Sequence, residues 1–187
     1  MGKTERTRYA PFKDRLIAFL YDYLFIALYA ILVVGSISFL LRRHLEPYFS
    51  GSPAVAQSAG FLMLTLPVAL YFIFSESSVW QGTWGKRIMG LRVVDGRGKR
   101  IAIYRSIIRT AVKLLPWEMA HFGVWRLYLP SDYPENILLA VLSAANVLAV
   151  LYFLTPMLNG KRQSIYDMAA GTLVVRTKGG SVSAQNR

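Results

Sequence analysis

The apolar residues of this chain fall in long runs separated by short basic stretches, a pattern on the length scale of a bilayer rather than of a soluble core. From Leu16 to Leu41 a run of 26 residues carries a single charge, Asp22, and a helix of about 20 apolar residues spans membrane hydrocarbon. A second, uncharged run extends from Ala59 to Ser75, and a third from Ile137 to Leu158. Pro67 interrupts the second run without ending it, because neighbouring groups satisfy the carbonyl that a membrane proline frees. These runs predict helices over about 15–41, 57–76 and 137–158. The first is too long for a signal-peptide core and lacks a small-residue cleavage site with polar sequence after it, so it is expected to be retained.

Between the second and third runs the period changes. Residues 90–95 and 99–103 read as short strands around a Gly96-Arg97-Gly98 turn, and 172–177 is a third strand of the same type. A small sheet joining the middle loop to the tail is therefore expected. After Ile103, apolar Ile107, Ile108, Ala111, Val112 and Leu115 alternate at helical spacing with Arg105, Arg109 and Lys113. That predicts an amphipathic helix lying on the inner membrane surface. It leads into residues 110–129, a weakly hydrophobic segment holding Glu118, His121 and Arg126. Residues 1–10 and 178–187 are expected to be flexible tails around one membrane domain, 11–176.

Composition and charge settle the class. With 54% apolar and 17% charged residues among 187, a conventional soluble globule is disfavoured. The net charge of +12 on its own admits nucleic acid, anionic lipid or the basic loops of a membrane protein. Its distribution separates them: five Lys/Arg precede Leu16, nine lie between Lys86 and Lys113, and five follow Gly160. The positive-inside rule puts all three blocks in the cytoplasm, which requires an even number of crossings. Residues 110–129 then supply the fourth, inserting with help from their neighbours. A re-entrant or interfacial helix there would leave three spans and strand Lys161, Arg162, Arg176 and Lys178 outside. The expected fold class is an all-α polytopic membrane protein of the plasma or inner membrane. It has four transmembrane helices plus a cytoplasmic amphipathic helix and a small β-sheet, with both termini cytoplasmic. Sidedness accounts for most of the charge, so anionic lipid is an expected partner and nucleic acid is not. The lack of cysteine excludes disulfides, thiolate metal sites and Cys nucleophiles.

The candidate chemistry lies in the charges that break this pattern. Asp22 is an intramembrane carboxylate, expensive to bury and functional by default, or else a polar tie to another helix. Arg15 sits seven residues earlier, on the same face about two turns away. Asp167, near the same boundary, can pair with Arg15 and staple the start of the first helix to the exit of the last, or lie solvated in the tail. Glu118 and His121 form a single Glu-x-x-His, one half of what a di-iron bundle uses, so no metal is expected. They make the weak span dependent on packing, with Glu118 a second candidate for a buried proton site. Lys86 and Arg87, in a Gly-rich turn lacking the spacing of a phosphate loop, are expected to meet lipid phosphates. No hydrolase arrangement and no cofactor motif is present, and no enzymatic activity is expected.

Several stretches in order carry a family resemblance: Arg15-Leu-Ile-Ala-Phe-Leu-Tyr-Asp22; Gln81-Gly-Thr-Trp-Gly-Lys-Arg-Ile-Met-Gly-Leu-Arg-Val-Val-Asp95; Arg105 and Arg109; and Arg162-Gln-Ser-Ile-Tyr-Asp167-Met-Ala-Ala-Gly-Thr-Leu-Val-Val. From about Pro11 to Arg176 the chain resembles the RDD family of membrane proteins, named for one arginine and two aspartates. The resemblance assigns those to Arg15, Asp22 and Asp167. It implies a role in transport, including cation/proton exchange, or a role as an accessory subunit of a membrane complex. In the first, Asp22 titrates or binds a cation under the influence of Arg15, with Arg109 a secondary participant, and a homo-oligomer is expected. In the second, the cluster is a permanent clasp and the partner is another membrane protein.

Overall fold

The computed structural model describes residues 9–177, so the tails 1–8 and 178–187 lie outside the described residues. In chain order the elements are α1 (Phe12–Leu40), α2 (Arg42–Ser50), α3 (Pro53–Ser77), α4 (Trp84–Ile88), β1 (Leu91–Asp95), α5 (Ile103–Tyr128), α6 (Glu135–Leu158), α7 (Ile165–Ala169) and β2 (Thr172–Arg176). Three of them, α1, α3 and α6, are long and apolar enough to cross a membrane. Helix starts follow the local chemistry. Pro53 occupies the first turn of α3, where its missing N–H is no loss. Asp14 and Glu135 place negative charge on the first turns of α1 and α6, facing the positive end of the helix dipole.

Four of these helices contain an interior proline, α2 at Pro47, α3 at Pro67, α5 at Pro116 and α6 at Pro156, each of which frees the carbonyl four residues earlier. In α3, α5 and α6 a hydroxyl from another element meets the freed carbonyl. Pro67 frees Met63, whose carbonyl accepts the Tyr29 hydroxyl at 2.8 Å. Pro116 in α5 frees Val112, whose carbonyl accepts the Tyr152 hydroxyl at 2.6 Å. Pro156 in α6 frees Tyr152, whose carbonyl accepts Ser164 Oγ at 3.2 Å. In hydrocarbon, where water cannot substitute, these hydroxyls tie α1 to α3, α6 to α5 and α7 to α6. α1 and α3 also each contain a π-helical stretch, Ala30–Gly35 and Phe61–Thr65, and the two stretches adjoin.

The segment expected as a surface helix followed by a weak span is one continuous 26-residue helix, α5. Its faces are reversed relative to a surface helix on a soluble core. Ile103, Ile107, Ile108 and Leu115 are exposed, while Ser106, Arg109 and Thr110 are at most 1% exposed. The polar stripe points inward because α3 and α7 bring partners for Ser106 and Arg109, leaving the apolar stripe to face outward.

The expected three-stranded sheet is two-stranded. β1 and β2 pair antiparallel with Leu91 opposite Arg176 and Asp95 opposite Thr172. Residues 99–103 contribute only a bridge from Arg100 to Val94, because Ala102 already caps α5 and leaves no length for a strand. On the other edge Tyr9 bridges Val175, and Ala10, fully buried, donates its N–H to Val174 at 2.9 Å. The expected flexible tail 1–10 is therefore ordered at its last two residues. Leu91, Val93 and Val174 from the strands pack with Ala10, Ala18 and Ile101 into a core that ties the sheet to α1. Arg176 adds a salt bridge to Asp14, with Nε 2.6 Å from Oδ2.

Candidate functional site

At the sheet end of the bundle, five elements place charged side chains in one buried lattice. Asp167 lies in the first turn of α7, where its Oδ2 accepts the Ser164 N–H at 3.0 Å. The same oxygen receives Arg15 Nη1 from α1 at 2.8 Å, and Oδ1 receives Arg109 Nη1 from α5. Arg109 turns its Nε to Glu76 Oε2, at the end of α3, at 2.7 Å. Glu76 Oε1 is then shared by Lys86 from α4 at 3.2 Å and Lys113 from α5 at 3.3 Å. Lys86 Nζ also lies 3.7 Å from Asp22 Oδ2. Glu76 and Asp167 are fully buried, and Asp22 is 2% exposed. Cations also stack on rings here: Lys113 Nζ is 3.8 Å from the Phe72 ring centre and Arg109 lies 4.9 Å from that of Tyr166.

Asp22 has its own set of donors. Thr83 Oγ1 donates to Oδ2 at 2.5 Å; Gly85 N–H at 2.8 Å and Tyr71 OH at 3.1 Å donate to Oδ1. The carboxylate thus holds the start of α4 against α1. A close approach is needed, and only glycine at position 85 permits it, because Gly85 lies directly on the Ala18 carbonyl.

Arg15 and Asp167 are in direct contact, and Arg109 joins them. Arg15 does not touch Asp22: the connection runs through Asp167, Arg109, Glu76 and Lys86, so direct control of Asp22 by Arg15 is replaced by a relay of ion pairs. Lys86, expected on lipid phosphate, is drawn inside by Glu76 and Asp22, where paired charge is favoured over an unpaired carboxylate. Arg87 stays exposed, its guanidinium 4.5 Å from the Trp80 ring centre. Glu118 and His121 form a separate polar layer further along α5. Thr65 Oγ1 donates to Glu118 at 2.6 Å, Trp117 Nε1 to Thr65 at 3.2 Å, and His121 Nδ1 lies 3.5 Å from Glu118.

Sequence reasoning missed Glu76, the carboxylate at the centre of the lattice. A signal was present: an acid at the end of the second apolar run, on the flank where the positive-inside pattern calls for bases. Lys113 reads from sequence as the polar face of a surface helix, because its period is visible there and its partner is not. Four cations (Arg15, Lys86, Arg109, Lys113) face three carboxylates (Asp22, Glu76, Asp167), leaving the lattice with a formal charge of +1.

Apolar helices enclosing a dense knot of ion pairs define the class: an integral membrane protein with a buried polar core. A family model described as RDD family matches residues 9–171, most of the chain, and the protein belongs to the RDD family. No curated protein and no solved structure matches it.

Proposed function

We propose that this is a four-span protein of the cell membrane, both termini cytoplasmic, that works as a non-catalytic accessory subunit packed against another membrane protein or a second copy. The observation that carries this reading is the saturation of Asp22, Glu76 and Asp167: each accepts donors from at least two other elements. A carboxylate held by a threonine, a tyrosine, a backbone N–H and a lysine is a clasp rather than a vacant cation site. A lattice with more cations than carboxylates also repels a visiting cation. The reversed faces of α5 support its crossing the bilayer, since its exposed stripe suits lipid. The outer part of α1 is covered by little else in the chain, none of its most apolar window being buried, and supplies a surface for a membrane partner.

Topology and flux test this reading together. Tags at Ser52, Lys99 and Asn186 are expected to report outside, inside and inside, and an outside tag at Asn186 refutes four spans. In liposomes with an imposed pH gradient, the purified protein is expected to move no protons in response to added cations. Asp22→Asn is expected to lose folded protein and co-purifying partner. Cation-dependent proton movement that disappears in a folded Asp22→Asn protein would overturn the accessory role.

A transport reading, cation/proton exchange or movement of a small solute, is favoured by one feature: the Glu118, Thr65 and His121 layer. Glu118 has fewer donors than the lattice carboxylates and is 24% exposed. On that reading Glu118→Gln, rather than Asp22→Asn, abolishes flux in a protein that still folds.

A further inference from the structure

An open cavity of about 470 Å³ lies at the sheet end, between the turn after β1 and the first turn of α5, lined by Arg97, Arg100, Tyr104 and Arg105 together with Asp95 and Gly171. Among the described residues, none of the three arginines has a carboxylate within ion-pair distance. Asp95, the acid in the lining, is committed to the turn: its Oδ1 accepts the N–H groups of Arg97 and Lys99, both at 2.9 Å. Those bonds, the Lys99 one foremost, hold its carboxyl below the usual aspartate range. Arg105 is oriented by three bonds, Nε donating to the Tyr104 hydroxyl at 3.1 Å and Nη1 to the carbonyls of Gly171 at 3.0 Å and Ala170 at 3.4 Å. Among the described residues its Nη2 donates to nothing. That leaves Nη2 to donate to a phosphate oxygen, beside the guanidinium groups of Arg97 and Arg100 in the same lining.

The setting of the cavity narrows the ligand. Tyr104, in its wall, begins the exposed apolar stripe of α5 that continues through Ile107 and Ile108. A soluble phosphate would use the arginines alone, whereas an amphiphile uses arginines and stripe together. We propose that this cavity seats the phosphate headgroup of an anionic phospholipid, with an acyl chain laid along Ile107 and Ile108. The site differs from the expected contact at Lys86 and Arg87, and it leaves Lys86 to the ion-pair lattice. Only the identity of the leaflet rests on the topology proposed above.

Native mass spectrometry of the full chain in detergent micelles tests it, with phosphatidylglycerol and phosphatidylcholine added separately. The wild type is expected to retain phosphatidylglycerol in preference to phosphatidylcholine. Arg97→Gln/Arg100→Gln, both exposed positions, is expected to weaken that retention by roughly ten- to thirty-fold. Lys13→Gln/Lys161→Gln removes the same charge elsewhere and is expected to leave retention unchanged. Equal loss in both double variants, or loss in neither, overturns the site. Inorganic phosphate at millimolar concentration is expected not to displace the lipid. Displacement of the lipid by that phosphate assigns the cavity to soluble phosphate and overturns the lipid assignment. Thermal melting of each variant separates loss of binding from loss of fold, and lipid retention in micelles reads the site whatever the outcome of tagging or flux.

Discussion

Arg109→Ala is expected to leave little folded protein. The guanidinium bridges Glu76 through Nε and Asp167 through Nη1, and all three side chains are at most 1% exposed. Its removal leaves two carboxylates on α3 and α7 without the cation that joins them. Breaking a buried pair by deleting one partner costs about 3–5 kcal/mol, because the surviving charge stays out of water. Whole domains are stable by only about 5–15 kcal/mol. Lys113 and Lys86 still face Glu76, and Arg15 still faces Asp167, so each acid keeps some compensation. What is lost is the one group that holds the two carboxylates together. Arg109→Lys is expected to recover part of the stability, since a single ammonium keeps the charge but not the two-armed geometry. The measurement is thermal unfolding in detergent followed by tryptophan fluorescence. A melting temperature for Arg109→Ala within a degree or two of wild type would show that the lattice does not hold the helices together.

The second large effect is expected from one methyl group. Gly85→Ala places a Cβ against the carbonyl oxygen of Ala18 and 2.9 Å from Asp22 Oδ1. Neither atom can retreat cheaply, as one belongs to the backbone of α1 and the other is fixed by Thr83 and Tyr71. α4 must move away from α1, and Asp22 then loses donors in a buried setting. Overpacking alone costs about 1–3 kcal/mol, and a stranded carboxylate adds about as much again. Gly96→Ala is the control, because an added Cβ there meets nothing within 4 Å and is expected to change stability by less than about 0.5 kcal/mol. Yield of monodisperse protein after extraction, with melting temperature, compares the two. Equal behaviour of both variants would remove the close approach of α4 to α1 as a structural requirement.

Elements with a strong one-dimensional signal were legible in the chain. Helices α1, α3 and α6 were visible as apolar runs, and their ends shift by a few residues because caps such as Pro53 extend a helix beyond its oil. The strands at 91–95 and 172–176 were legible from their β-branched residues, as was a sheet joining the middle loop to the tail, but its register was not. Residues 99–103 have strand composition and still enter a helix, since the turn at Gly98 and the cap at Ala102 leave too little length. Helix α2 carries no apolar run, so nothing in hydropathy announced it. α5 was the instructive case: its period was readable, but the side that faces inward depends on what stands opposite, and its arginine and lysine point to acids on α3 and α7.

Hydropathy and the placement of basic residues are sums over local sequence, and they were sufficient to define a membrane protein, its apolar helices and its unusual carboxylates at positions 22 and 167. Pairing is a property of distance in space. Arg15 and Asp167 are separated by 152 residues and Arg109 and Glu76 by 33, and no local pattern states that these four side chains share one buried knot. Lys86 went to Glu76 rather than to lipid, and three hydroxyls went to carbonyls freed by prolines on other elements. Both outcomes follow from the low dielectric of the bundle interior, where every charge and every backbone group must find its partner inside the protein. Only the tertiary arrangement decides which partner is within reach.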